Sequence, residues 1–333
     1  MGRNMESSSL LQARAQIRLD RDLLQRLSTR APLRLLLQTL AEWLLIAALM
    51  MTATHAEHAA VSALCILLIA GRQHALLILM HEYAHHQFSR KRAWLNDMLG
   101  DALAALPFFL TVHGFRRNHM PHHRHVKTEA DTNWASALTV SRYQFPKSRT
   151  QTYAEMAKHA LGWYTLKELK HYAVDAGMAV DLPPAVRRFR IAHAIFVLAL
   201  VAYFDLWWTV LLYWIVPLTT FLVGILYVRD VSEHFGMPSE GIAGARTMLG
   251  NRVERLFFCP HGINFHTEHH LYPSVPFHHL ESLHEALRKD DYYRLHAVIA
   301  QGYLTGMVDQ LAHGRGASKP SAPEAGDAAA PLP

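Results

Sequence analysis

Histidine is the residue type this chain holds in unusual quantity, 24 of 333 residues, and most of them stand in groups. The first group is His81-Glu82-Tyr83-Ala84-His85-His86. On a helix, His81 and His85 lie four residues apart and share a face. His86 is turned about 100° from His85 and is a doubtful third member. The second group is His119-Met120-Pro121-His122-His123-Arg124-His125. Here His119, His122 and His123 fall at i, i+3 and i+4, Pro121 fits if the helix begins near Asn118, and His125 stands outside the spacing. The third, His266-Thr267-Glu268-His269-His270, repeats that pattern, with Pro273 and Pro276 ending its helix. Between the second and third groups lies Asp230-Val231-Ser232-Glu233-His234. Nine imidazoles (His81, His85, His119, His122, His123, His234, His266, His269 and His270) are too many for one metal ion and suit two ions with four or five ligands each. Imidazole serves Fe, Zn, Cu and Ni, so the donor type leaves the element open. Two cysteines, Cys65 and Cys259, exclude a disulfide framework and a thiolate metal site.

Other readings of these histidines explain less. His81-Glu82-x-x-His85 satisfies the H-E-x-x-H pattern of zinc proteases, but that chemistry leaves the other groups without a role. A haem-binding bundle places axial histidines singly inside spans, whereas these stand in adjacent groups. A metal transporter places ligands near mid-membrane, and only His74 and His193 come close to that.

The elements that must position these groups are apolar. Hydrophobic residues make up 51% of the chain and charged residues 18%, below the roughly 25% of soluble domains. With a mean hydropathy of +0.03, this indicates a membrane protein with a large water-facing part. The net charge of +6 is spread around apolar runs and forms no stripe, which argues for a membrane surface and against nucleic acid. Four spans are expected, at about 33–53, 59–80, 191–205 and 207–228, paired in two hairpins. Arg and Lys are absent from the connections at Thr54–His58 and Phe204–Leu206 and flank the other ends, so the positive-inside rule puts both termini and the large segments in the cytoplasm. Arg72, inside the second run, is expected to snorkel to the cytoplasmic interface; a buried functional cation is the alternative. Met98–Val112 is short, contains Asp101 and reads as an interfacial or re-entrant helix. The expected organisation is a basic cytoplasmic lead-in at 1–32 without a secretory signal, one membrane domain at 33–313, and a disordered tail at 314–333 rich in Gly, Ala, Pro and Ser.

The three groups, in this order and on one side of the spans, resemble the histidine boxes of the membrane-bound fatty acid desaturase and hydroxylase superfamily. The likeness runs from about residue 33 to 290. It includes Phe115-Arg116-Arg117-Asn118 before the second box and Asn264-Phe265-His266 through Pro276 around the third. The resemblance implies an all-α membrane fold in which four spans carry a cytoplasmic helical cap. It also implies a centre of two Fe ions that uses O2 and two electrons, with the nine histidines as ligands and His234 as the one following the fourth span. Asp230 stands where many relatives carry asparagine. His86 is additional, Glu129-Ala130-Asp131-Thr132-Asn133 replaces an Asp-Pro pair, and box three opens with His266 and not glutamine. With no fused haem domain, electrons come from a separate donor, a ferredoxin or a cytochrome with its reductase.

Breaking an unactivated C–H bond is beyond side-chain acids and bases, so the metals must carry the chemistry. Glu82, Asp230, Glu233, Glu268 and Asn264 are expected either to orient the ligand rings from behind or to serve as ordinary surface polarity. A long acyl chain, as lipid or thioester, enters between spans and cap. Arg116, Arg117, Lys127 and Arg187 offer a basic face to an acidic donor or to anionic lipid. Desaturation is the expected outcome, in a bacterial inner membrane. Hydroxylation, oxidative decarboxylation and carotenoid-type oxygenation use the same boxes, since a small change in substrate placement redirects the oxidant.

Overall fold

The computed structural model describes residues 9–168, 170, 181–238 and 241–313, and they are mostly helical. The tail expected at 314–333 lies outside the described residues. Pro32–Thr54 opens with proline at a position where its missing N–H costs nothing. Its 23 residues rise about 34 Å, enough for a hydrocarbon core of about 30 Å. Ala59–Ala84 returns beside it. This second helix is apolar around its whole circumference, and from Ile69 onward nearly every residue is buried. It forms the axis against which the other elements pack.

Three helices are long and apolar enough to cross a membrane: these two and Trp207–His234, which contains a π turn at Leu211–Ile215. The helices Ala93–Phe108 and Val112–His125, bent by 89°, add a fourth if they count as one span. The stretch expected to hold the third span is helical at Pro184–Tyr203, but Arg187, Arg188 and Arg190 occupy its first two turns. It is not among those three, although Ile191, Ile195, Phe196 and Leu198 are exposed along it.

Charged residues near the middle of the first two apolar helices are paired. Arg72 is held by groups within the fold. Its guanidinium lies 3.2 Å from both carboxylate oxygens of Glu42 and donates at 2.7 Å to the Leu256 carbonyl. Glu42 is also 3.0 Å from His261. Sequence reading considered Arg72 alone and so missed a partner thirty residues earlier in the neighbouring helix.

The helix of the second box begins at Val112, not near Asn118. Asp101 accepts from the Val112 N–H at 2.6 Å and Thr111 from the Gly114 N–H at 3.0 Å, so two side chains cap this start. Pro121 therefore falls inside the helix and forfeits a backbone bond. Arg116, in the same helix, grips Asp97 with both arms, at 2.6 and 2.8 Å, and donates to the carbonyls of Ala84 (2.7 Å) and Tyr83 (3.1 Å). The Tyr83 carbonyl also accepts from the His86 N–H at 3.0 Å and from Asn96 at 2.8 Å at this helix end. One arginine thus fastens the first box to the second, which removes Arg116 from the expected docking face. Lys127 leaves it too: it is buried and donates to the carbonyls of Met237 and Pro238.

The expectation of an all-α chain fails at one place. Strands Arg246–Leu249 and Val298–Gln301 pair in parallel, Arg246 opposite Val298. Strands of four residues leave almost no periodic signal, and their partners are about fifty residues apart. The sheet holds the third box: Asn264 donates to the Met248 carbonyl at 2.8 Å, and Met248 N–H to the Asn264 carbonyl at 2.9 Å.

Helix Arg149–Ala160 lies on the C-terminal part of the last long helix, Phe221–His234, with a glycine at the contact. A Cβ on Gly224 would come within 2.8 Å of the Ala160 backbone. Gly224→Ala is expected to destabilise the protein by about 1–3 kcal/mol through overpacking, read as a lowered melting temperature in detergent. An unchanged melt would show that this contact is not tight.

Candidate metal centre

The nine histidines come together in two groups. His81, His85, His119, His123 and His269 form one; His122, His234, His266 and His270 form the other. Within each group, one nitrogen per ring lies within 4.8 Å of all the rest. In the first, the Nε2 atoms of His119 and His85 are 3.1 Å apart, those of His123 and His119 2.9 Å, and those of His269 and His123 3.1 Å. In the second, His266 and His234 approach to 2.8 Å and His270 and His266 to 3.0 Å. The groups touch where His123 stacks on His270, ring centres 4.3 Å apart.

Helical geometry decides which ring goes where. From residue i, position i+4 is turned about +40° and i+3 about −60°, so the two diverge by about 100°. The second box sends its i, i+4 pair, His119 and His123, to the first group and His122 to the other. The third box sends His266 and His270 to the second group and His269 to the first. The second and third boxes therefore each serve both groups, while the first serves one. His86 joins neither: the helix stops at Ala84 and His86 turns away in a left-handed conformation, φ 57°.

This donor set fits metal ions. Burial, reinforced by the neighbouring imidazoles, holds His266, His269 and His270 well below the usual imidazole pKa, so they are neutral with a lone pair to give. Buried polar atoms are almost always bonded, yet Nε2 of His81 makes no hydrogen bond among the described residues. Ring nitrogens that converge at about 3 Å cannot all be donor to one neighbour and acceptor to another. A shared cation satisfies them together.

The opposite ring edges are held from behind, in part by residues the sequence did not single out. His122 Nδ1 donates at 2.9 Å to Asp131, which also accepts the N–H groups of Lys127 (3.0 Å) and Trp134 (3.2 Å). Burial alone would raise the Asp131 pKa; these bonds outweigh it and keep the carboxyl below its ordinary range. His234 Nδ1 donates to the Gly244 carbonyl at 2.9 Å. Both bonds fix a tautomer with Nε2 free for an ion. Glu82 and Glu233 stand 3.4 Å from Nδ1 of His81 and His266, while Glu82 accepts the Phe277 N–H and Glu233 pairs with Arg229. Glu268 touches no ring of either group. It accepts from Thr247, His284 and Tyr293, and so anchors the third-box helix. Asn264 likewise holds backbone, and Asp230 lines a cavity described below. Asp131→Asn is expected to lower metal affinity about 10–100-fold, measured by competition with a chelator. An unchanged affinity would detach Asp131 from the centre.

The family model for fatty acid desaturases matches residues 57–302. The chain belongs to the fatty acid desaturase family. It is 28% identical over 227 residues to the dihydrorhizobitoxine desaturase of Bradyrhizobium elkanii. It is 22% identical over 234 residues to the sn-1 acyl-lipid omega-3 desaturase (ferredoxin) of Nostoc sp. (strain 36). In both cases 64% of this chain is covered, and the chain spans 64% of the length of the relative it matches. The desaturase match contains all three histidine boxes, His234, Arg116 and Asp131.

A cavity of about 180 Å³ opens onto His81, His119, His122, His234 and His266. Its other walls are largely apolar, among them Leu77, Leu110, Phe115, Trp134, Leu226 and Phe235.

Proposed function

We propose that the protein is an O2-dependent di-iron desaturase that introduces a double bond into a long acyl chain. The observation that carries this reading is a largely apolar cavity lined by five of the nine convergent imidazoles. His81, His85, His119, His123 and His269 would hold one iron, and His122, His234, His266 and His270 the other. When bound, the iron pair supplies the O2 reduction and the hydrogen removal that no side chain can perform. The balance is –CH2–CH2– + O2 + 2 electrons + 2 protons to –CH=CH– + 2 water. The protein's part is placement. Leu77, Leu110, Leu226 and Phe235 exclude water from the reacting methylenes and fix which of them faces the imidazoles. Asp131 and the Gly244 carbonyl hold His122 and His234 in the tautomer that presents Nε2.

The membrane plan belongs to the same proposal. One domain over 33–313 carries four spans, including Pro184–Tyr203, with a helical cap and both termini in the cytoplasm of a bacterial inner membrane. Basic residues before Pro32 and after Ala84 support that orientation. Electrons arrive from a separate carrier, and the ferredoxin in the name of the Nostoc relative supports a ferredoxin. A second reading, in which the substrate is a dihydrorhizobitoxine-like molecule, is favoured by the similarity to the Bradyrhizobium enzyme.

Metal analysis of the purified protein should find close to two irons per chain; a single zinc would overturn the assignment. Lipid profiling of a host with and without the gene should show one unsaturated acyl species gained. New hydroxy-acids or terminal alkenes would reassign the outcome to hydroxylation or decarboxylation. An unchanged lipid profile, with turnover of the smaller compound, would select the second reading.

A further inference from the structure

A second cavity, about 720 Å³, meets a different set of rings: His85, His123 and His270. Most of its wall is apolar, but three basic side chains stand in it. Arg14, Arg90 and Arg124 line it with exposed side chains, and no carboxylate lines it among the described residues. None of the three arginines is in an ion pair among the described residues. They come from three separated parts of the chain, the helix Ser9–Gln16, the turn after the first box and the last turn of the second-box helix. The fold gathers them around one opening.

We propose that this cavity is the docking socket for an acidic one-electron carrier protein. The proposal rests on the desaturase reading, since it names the partner of that centre. A ring of guanidinium groups without acids attracts carboxylates and grips them in pairs. Three of the nine imidazoles line the socket, so a carrier seated there brings its redox group toward the centre. The apolar cavity stays free for substrate on its own set of rings. Two carriers docking in turn, each arriving reduced by one electron and leaving oxidised, supply the two electrons of the desaturation balance. An anionic membrane surface is the competing partner for the same charge, but it has no use for a lining of imidazoles. The socket also replaces Arg116 and Lys127, whose charges are engaged inside the fold.

The test uses the full chain, loaded with iron, in nanodiscs of neutral phosphatidylcholine, with an oxidised acidic [2Fe–2S] ferredoxin as the probe. Binding should weaken about tenfold or more as salt is raised from low to several hundred millimolar, as exposed charges demand. Arg90→Glu/Arg124→Glu should lower affinity at least about tenfold and flatten the salt dependence, with iron content and melting temperature as in the wild type. If that variant folds poorly, Arg14→Glu reports on the same socket from another element. Arg187→Glu, exposed but outside the cavity, should bind within about twofold of wild type. Undiminished ferredoxin binding in folded socket variants, or an equal loss in Arg187→Glu, overturns the proposal. So does a loss confined to binding of vesicles containing phosphatidylglycerol, which would make the socket a lipid site. Wild-type protein reduced with dithionite tests the underlying reading separately. Product without ferredoxin binding sinks the socket alone, and no product with full iron sinks the desaturase reading.

Discussion

His123→Ala is expected to lower bound iron from two per chain to at most one and to bring product formation below detection. His123 is the ring with neighbours on both sides. Its Nε2 lies 2.9 Å from that of His119 and 3.1 Å from that of His269, and its face stacks on His270 of the other group. Removing it deletes one of five nitrogens and the ring that separates the two groups. Ligands that act as a unit lose function together and not in proportion. Elemental analysis with a product assay checks this, and His86→Ala provides the contrast, since His86 belongs to neither group and should retain both ions. Two irons in His123→Ala would remove it from the ligand set.

The second large effect is expected at Arg246, fully buried beside the second group. Its guanidinium donates to the carbonyls of Ser232 (2.7 Å), Phe235 (2.9 Å) and Val231 (3.3 Å) and to Gln310 at 2.9 Å. These carbonyls end the helix that presents His234. Arg246→Met should take the guanidinium from the Ser232 and Phe235 carbonyls and cost about 3–5 kcal/mol. For a chain of this size that is a melting-temperature loss of about 4–7 °C. The ion held through His234 should be lost before the other. A melt within a degree or two of wild type would show that water or a neighbouring donor takes the place of the guanidinium.

The boxes were legible because their logic is local: i, i+3 and i+4 spacings need no knowledge of the rest of the chain. The division of rings between two groups was within reach of the same geometry, since i+3 and i+4 leave a helix about 100° apart. It becomes evident only when the boxes face one another. What could not be read were long-range partners. Nothing near Arg116 in sequence indicates the carbonyls of Tyr83 and Ala84, and nothing near Arg246 indicates the end of the last helix. Asp131 lay in view, nine residues after His122, but only the turn that caps Thr132–Leu138 brings its carboxylate to that ring. Three of the expected apolar helices were legible from their length and composition. Pro184–Tyr203 shows the weakness of that criterion, because three arginines share its helix with the apolar run.

The Glu42–Arg72 pair has a consequence for biogenesis. Both residues sit near the middle of their helices, thirty positions apart in the chain. A charged residue at mid-helix makes translocon-mediated partitioning less favourable by about 2.5–3.5 kcal/mol. As the nascent chain emerges, the first segment carries its acid without a counter-ion until the second follows. The two segments are thus better released into lipid together, as a neutralised hairpin, than one after the other.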